Sequence, residues 1–406
     1  MAISADDVAL GRVLPRTIAG ATVLQIVPAL RDNPTTRATI GIAHALVNAG
    51  ARAIVAGEHG PLVNELKSFG GEWLSFSSTS INPLKLRRNA DVLDRFVANE
   101  RVDIVHAKNA GAAWSALIAT DRNSIWLVTD LPDLPRRRMR LAAWYLGALS
   151  RGDRVITRSL FHARPMMQRH RIPLERVSVI PHSINTARFD PTVVRPERVA
   201  ALRHAWGIPS GVRVILVPGR VAPWCGQITL VETARMLADQ GVHGVTFVLA
   251  GDDRQHARYA RAVVKRAKAE RVDALFRLIG HCADMPGAYA AADVVVVPYV
   301  SPPVYGRVVA EAQAMARPVI ASAVGALPEN LLAPPRMPDD LRTGWVVRPG
   351  DPVDLAKALA SALALDGLAY RALAARARQF GEFVFAPRRV AAATLEVYSS
   401  LLNVND

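Results

Sequence analysis

Between Ala292 and Glu329 the chain reads ADVVVVPYVSPPVYGRVVAEAQAMARPVIASAVGALPE, and this stretch constrains the fold more than any other. Val294 to Val297 form a wholly apolar, β-branched run. Such a run suits a strand buried on both faces of a parallel sheet, not one that alternates between core and solvent. Pro298, Pro302 and Pro303 then interrupt the chain. The spacing predicts a helix over 307–315, with Val308, Ala312 and Met315 on its buried face, and a second buried strand over 317–321. Strand, loop, helix and strand of this length make a βαβ unit. Ligands of such units lie at the carboxyl ends of the strands. That puts the loop 298–306 and the first helical turn, Gly306 and Arg307, at a binding crevice, with Glu311 one turn further in.

The same alternation fills both halves of the 406 residues. In the first half, segments 22–27, 51–56, 72–76, 102–106, 124–129, 154–157 and 177–180 read as strands. Helical periods fall at 35–48, with Thr35 as N-cap, and at 62–69, 83–99 and 136–149. In the second half, 212–217, 245–249, 276–279, 294–297, 319–321 and 345–347 read as strands, and a closing helix runs from 387 to about 401. Segment 182–196 lacks a period and carries Pro191 and Pro196, which marks a connection. The prediction is α/β: two doubly wound, Rossmann-like domains over 1–181 and 197–386, joined by linker 182–196, with 387–406 as a final helix.

Two cysteines, Cys225 and Cys282, stand far apart and in no metal-ligand spacing, which argues for a reducing compartment and against a zinc site. The opening MAISADDVALGRVLPR carries two aspartates where a signal peptide needs a basic start and an apolar core. No apolar run reaches the roughly 18 residues of a membrane span. These features predict a soluble, cytoplasmic chain. Its formal charge of +15 is uneven: residues 135–171 hold ten arginines against Asp153 alone. A local basic patch points to a negatively charged surface. In a helix over 136–149, Leu141, Trp144, Tyr145, Ala148 and Leu149 share a face while Arg136, Arg137, Arg138 and Arg140 crowd one end. That pattern fits peripheral attachment to the inner face of a membrane, and equally an ordinary sheet-packing helix with solvated arginines. No nucleic-acid motif or aromatic stacking platform accompanies the charge, which excludes nucleic acid as the expected partner.

The wording GRVVAEAQAMARPVIAS followed by GALPE resembles the donor-binding segment of family 4 glycosyltransferases, retaining sugar-nucleotide enzymes of GT-B fold whose two domains face across a cleft. The resemblance covers about 22–401 and is strongest over 214–352. It implies that Glu311 binds the nucleotide ribose hydroxyls. The family's partner glutamate, eight positions earlier, falls here on Pro303, which has no carboxylate. In VILVPGRVAPWCGQ the resemblance assigns Gly219, Arg220 and the helix start near Gly226 to the donor diphosphate. The residues support this independently, because a glycine at a strand end admits a ligand and helix-terminal amides suit phosphate. The same residues also fit a plain turn and a surface arginine. The family's diphosphate lysine is replaced by Cys225. GHCADMPGAY resembles the base-binding turn, with Gly280 at the strand end and Asp284 as an N-cap.

In the first half the family's paired glycines are replaced by Asn33 and Pro34, and proline has no amide hydrogen to donate. After SIWLVT, the position that commonly holds the histidine near the reacting carbon is Leu131. His106 in DIVHAKN matches the family's wording; it reads as an acceptor-side contact or as a histidine bonded within the fold. The resemblance implies a transferase that moves a sugar from a nucleotide-sugar donor to a cell-envelope glycan or glycolipid acceptor. Arginine and helix amides would offset the diphosphate charge, with no metal or other cofactor. The departures at Asn33, Pro34, Leu131, Cys225 and Pro303 leave open a catalytically inactive relative that binds a nucleotide or a partner protein. A sugar-nucleotide epimerase of the same fold is a third reading, but no convincing acid and base pair is evident for it.

Overall fold

The computed structural model describes residues 18–131, 140–302 and 306–403. The chain divides into two compact units. The first holds the described residues through Arg158, then His162–Pro181 and those from Arg388 on; the second holds Ser159–Phe161 and His182–Pro387.

The first unit is built on seven parallel strands: β1 (Thr22–Ala29), β2 (Arg52–Glu58), β3 (Glu72–Ser75), β4 (Ile104–Ala107), β5 (Trp126–Asp130), β6 (Arg154–Thr157) and β7 (Val177–Val179). Their order is β3-β2-β1-β4-β5-β6-β7. Helices α1 (Pro34–Asn48), α2 (Leu62–Ser68), α3 (Pro83–Asn99), α4 (Ala110–Asn123), α5 (Arg140–Gly147) and α6 (Leu160–His170) connect them. The second unit has six: β8 (Arg213–Pro218), β9 (Val245–Ala250), β10 (Phe276–Gly280), β11 (Val294–Val297), β12 (Val319–Ser322) and β13 (Gly344–Val347), in the order β10-β9-β8-β11-β12-β13. Its helices are α7 (Pro196–Ala205), α8 (Gln227–Asp239), α9 (Ala257–Ala269), α10 (Met285–Ala291), α11 (Arg307–Ala314), α12 (Pro352–Leu363) and α13 (Gly367–Phe385). A last helix, α14 (Pro387–Leu402), returns to the first unit, where Val390, Val397, Tyr398 and Leu401 enter the same apolar cluster as Val23, Val55 and Leu46.

β11 is buried at all four valines, as a parallel sheet covered on both faces requires. Each such valine contributes roughly 1.5–3 kcal/mol of hydrophobic burial. In both sheets the strand order reverses between the first strand and its far neighbour, β1 with β4 and β8 with β11. The carboxyl ends of those two pairs are the topological switch points where α/β sheets hold ligands.

Three local expectations are corrected. α1 is capped by Asn33, whose side chain accepts from the Thr36 amide at 3.0 Å, with Pro34 as the first helical residue; Thr35 is not the cap. Proline suits that first position because its missing amide has no helical partner to lose. α11 is buried from Val309 to Ala314, not along one face. α13 covers its other side, and a Cβ on Gly381 would lie 2.9 Å from the Ala314 nitrogen. The expected strand over 124–129 begins at Trp126, because α4 runs to Asn123 and ends on Ser124 in a left-handed conformation (φ 52°). At its carboxyl end α5 stops at Gly147, and a 3-10 turn follows over Ala148–Ser150. Arg136, Arg137, Arg138 and Pro303 lie outside the described residues, as does the side chain of Arg140. Among the described residues no single helix is long and apolar enough to cross a membrane.

Candidate functional site

At the switch point of the second sheet the chain leaves β8 through Gly219, whose φ of 120° excludes most side chains. A Cβ there would stand 2.6 Å from the Tyr299 hydroxyl, and one on Gly251, after β9, would stand 1.8 Å from the Gly219 carbonyl oxygen. Gly226 (φ 73°) caps α8, and a Cβ on it would come within 1.9 Å of the Pro298 oxygen beyond β11. Glycines therefore let three strand exits approach backbone to backbone, and they bring the amino end of the 13-residue α8 to this edge, where the Ile228 amide donates to the Tyr259 hydroxyl at 3.4 Å. Arg220 is exposed, and its carbonyl accepts from Gln227 Nε2 at 2.9 Å, which fixes the loop.

Cys225, in the family's lysine position, is 3% exposed and hydrogen-bonded to Tyr299. Burial pushes its thiol up to about 11 and the Tyr299 hydroxyl above its usual range, so both are neutral at pH 7. The fixed positive charge near them is that of Arg220, which acts on both groups.

Glu311 is buried on α11. One carboxylate oxygen accepts from Arg307 at 2.9 Å and the other from the Tyr289 hydroxyl at 3.1 Å. Burial raises its pKa, against the opposing pulls of Arg307, Tyr289 and Arg188. Gly306 precedes α11 so closely to Asn330 that a Cβ would meet its Nδ2 at 2.1 Å. Gly280 (φ 67°) at the end of β10 faces open space within 4 Å of its Cβ position. Asp284 caps α10 through the Gly287 amide at 2.9 Å and pairs with Arg198.

The switch edge of the first sheet is built differently. His106 on β4 is 1% exposed, with Nδ1 2.6 Å from the Tyr398 hydroxyl and Nε2 3.0 Å from Asp130 Oδ1. Burial and the Lys108 charge push its pKa down to about 4, so the ring is neutral at pH 7. A carboxylate only accepts, which assigns the ring proton to Nε2 and makes Tyr398 the donor to Nδ1. Asp130 Oδ2 accepts from Arg158 at 2.6 Å and lies 3.9 Å from Lys108 Nζ. Burial would raise the Asp130 pKa, but Arg158, Lys108 and His106 together hold it well below the usual range. Burial lowers Lys108 to about 8 against the attraction of Asp130.

His106, read from sequence as an acceptor-side contact or an internally bonded residue, has both ring nitrogens engaged within the fold. Leu131 is 4% exposed and its amide donates to the Ile156 carbonyl. Sequence reasoning missed Asp130, Lys108, Arg158 and Tyr398, as well as Tyr289 and Tyr299. A carboxylate closing the apolar run WLVT was the one local signal among them. Among the described residues no group of three His, Cys, Asp or Glu side chains could hold a metal ion.

Residues 212–364 match the family model described as Glycosyl transferases group 1, and residues 36–188 match Glycosyltransferase Family 4. The chain belongs to the family 4, group 1 glycosyltransferases. Within this family it is 28% identical over 261 residues to D-inositol 3-phosphate glycosyltransferase of Mycolicibacterium vanbaalenii, an alignment covering 61% of this chain and 53% of that protein. The chain spans about half the length of the curated relatives it matches. A solved glycosyltransferase from Rickettsia africae is similar over 95% of this chain and 100% of its own, with 25% identity and a TM-score of 0.77. Anabaena Alr3699/HepE, solved in complex with UDP and glucose, is similar in fold, with a TM-score of 0.66 and 20% identity over 94% of this chain and 100% of that one. The two sheets and their flanking helices are those of the GT-B fold.

Proposed function

We propose that this chain is a retaining glycosyltransferase that takes a sugar from a nucleotide-sugar donor and passes it to a cell-envelope glycan or lipid acceptor. The observation that carries the reading is the edge at β8 and β11. There Gly219 and Gly226 clear the backbone, Arg220 supplies a permanent charge, and α8 starts with the positive end of its dipole, its Ile228 amide 3.4 Å from the Tyr259 hydroxyl. Such an edge stabilises the negative charge that grows on a nucleoside diphosphate as it leaves, without a divalent ion or other cofactor. Glu311, oriented by Arg307 and Tyr289, is the group for the ribose hydroxyls. The curated relatives are named for a phosphorylated inositol, and the basic stretch 135–171 suits a phosphorylated acceptor as well as an anionic membrane surface. In this reading the protein works in the cytoplasm, at the inner face of the membrane.

A second reading, a nucleotide-binding protein without turnover, is favoured by a specific group of observations. Cys225 offers a neutral thiol already bonded to Tyr299, Pro34 and Asn33 serve α1, and Leu131 is buried. Calorimetric titration with a panel of nucleoside diphosphates and their sugar conjugates, run beside a transfer assay, separates the two. Binding with turnover supports the transferase, and binding without it supports the inactive relative. Arg220→Gln should weaken diphosphate binding by about 1.5–3 kcal/mol, the value of a charge-assisted hydrogen bond. An unchanged dissociation constant in a folded Arg220→Gln protein removes Arg220 from the site.

A further inference from the structure

Ile81 and Leu84 have no place in the donor chemistry or in the core. Both stand in solvent, 73% and 79% exposed, where the chain enters α3. The turn that carries them is well bonded. Asn82 accepts from the Leu84 amide at 2.9 Å, Ser80 Oγ accepts from the Asn82 amide at 3.1 Å, and Pro83 opens the helix. The face of α3 that packs inward is Leu86, Ala90, Leu93 and Val97, so Leu84 is free of any structural duty there. An aliphatic pair fixed at the tip of a capped turn is a standing cost in water that only an apolar partner relieves.

The surroundings of the tip specify that partner. Lys85, Arg87 and Arg88 are exposed immediately behind it, and residues 75–90 contain these three cations and no acid. The Tyr145 hydroxyl donates to the Ser80 carbonyl at 3.2 Å, which seats α5 against the base of the turn. α5 also carries Trp144, 54% exposed and stacked on Trp114 with ring centroids 4.5 Å apart. In sequence α5 follows directly on the arginines at 136–138. An apolar groove on another protein would take the aliphatic tip, but it would not call for a surplus of cations around it. A bilayer with anionic headgroups answers both, with apolar side chains below the phosphates and long cationic side chains reaching up to them.

We infer that the Ile81–Leu84 turn inserts into the acyl boundary of an anionic bilayer, with Lys85, Arg87 and Arg88 on the lipid phosphates. The inference rests on the reading that the first unit meets an anionic membrane, and it names the residues that enter it. Its test is flotation of the full chain with vesicles of phosphatidylcholine alone and of phosphatidylcholine with phosphatidylglycerol, at low and high salt. Wild-type protein should float with the anionic vesicles and less so at high salt. Ile81→Ser with Leu84→Ser should lower that partition about tenfold while leaving its salt dependence intact. Lys85→Gln, Arg87→Gln and Arg88→Gln together should lower it and flatten the salt dependence. An unchanged melting temperature of the double serine variant shows that the fold is kept. If wild-type protein floats and the double serine variant floats equally well, insertion of this turn is wrong while membrane attachment stands. If wild-type protein floats with neither vesicle, both fail together. Loss of a dimer in light scattering, with flotation unchanged, would make the turn a contact between copies instead.

Discussion

The switch edges of the two sheets use their polar groups in opposite ways. At β8 and β11 the edge is made of closely approached glycines, the amino end of α8, whose Ile228 amide lies 3.4 Å from the Tyr259 hydroxyl, and Arg220, which is exposed. At β4 and β5 the polar groups are turned on one another: Tyr398, His106, Asp130 and Arg158 form a continuous bonded chain with Lys108 beside it. The difference teaches that charge alone does not mark a binding edge. Charges that satisfy one another stabilise the fold, whereas a charge without an internal carboxylate partner is available to a substrate.

The largest effect should come from cutting the closed edge. Asp130→Ala leaves Arg158 and Lys108 without their carboxylate, and breaking a buried ion pair in this way costs about 3–5 kcal/mol; a denaturant melt that does not move would break the comparison at once. On the open edge, Glu311→Ala should instead weaken nucleoside diphosphate binding by up to about 3 kcal/mol. Calorimetry showing equal affinity would mean that Glu311 serves only Arg307 and Tyr289.

Acid offers a milder probe. Folded His106 stays neutral down to about 4, whereas in an unfolded chain it takes a proton near 6.5. Within that window the unfolded state binds more protons, so stability falls as pH falls, by up to about 2 kcal/mol near pH 5. The lowered Asp130 pKa adds stability that is present above its unfolded value of 3.8 and is lost as pH falls below it. Melting curves from neutral to acid pH, with His106→Asn for comparison, check the sign and the source. The smallest effect is expected of Tyr398→Phe, which removes one buried hydrogen bond and should cost about 1 kcal/mol; a loss as great as that of Asp130→Ala would show the whole chain of bonds acting as a unit.

The alternation of strand and helix was legible because buried parallel strands are written as β-branched runs, of which Val294 to Val297 is the plainest. α4 was not read at all, since AGAAWSALIATDRN is too rich in alanine to show a polar face. The burial of α11 was underestimated because α13, which covers it through Gly381, lies more than fifty residues on. The open edge was legible in part through local wording, as Gly219, Arg220 and Gly226 lie within eight residues, whereas Gly251 comes from the next strand. The closed edge was not, because Tyr398 meets His106 across 292 positions and no local pattern encodes such a pairing.

That same distance has a consequence for how the protein is made. α14 supplies Val390, Val397, Tyr398 and Leu401 to the core of the first unit, although the whole of the second unit is synthesised in between. A ribosome releases the chain from its amino end, and domains ordinarily fold as each emerges. Here the first seven strands must wait, with the His106 edge unclosed, until about two hundred further residues have appeared. The second unit therefore has the opportunity to fold first, and the unit that begins the chain is the last to be completed.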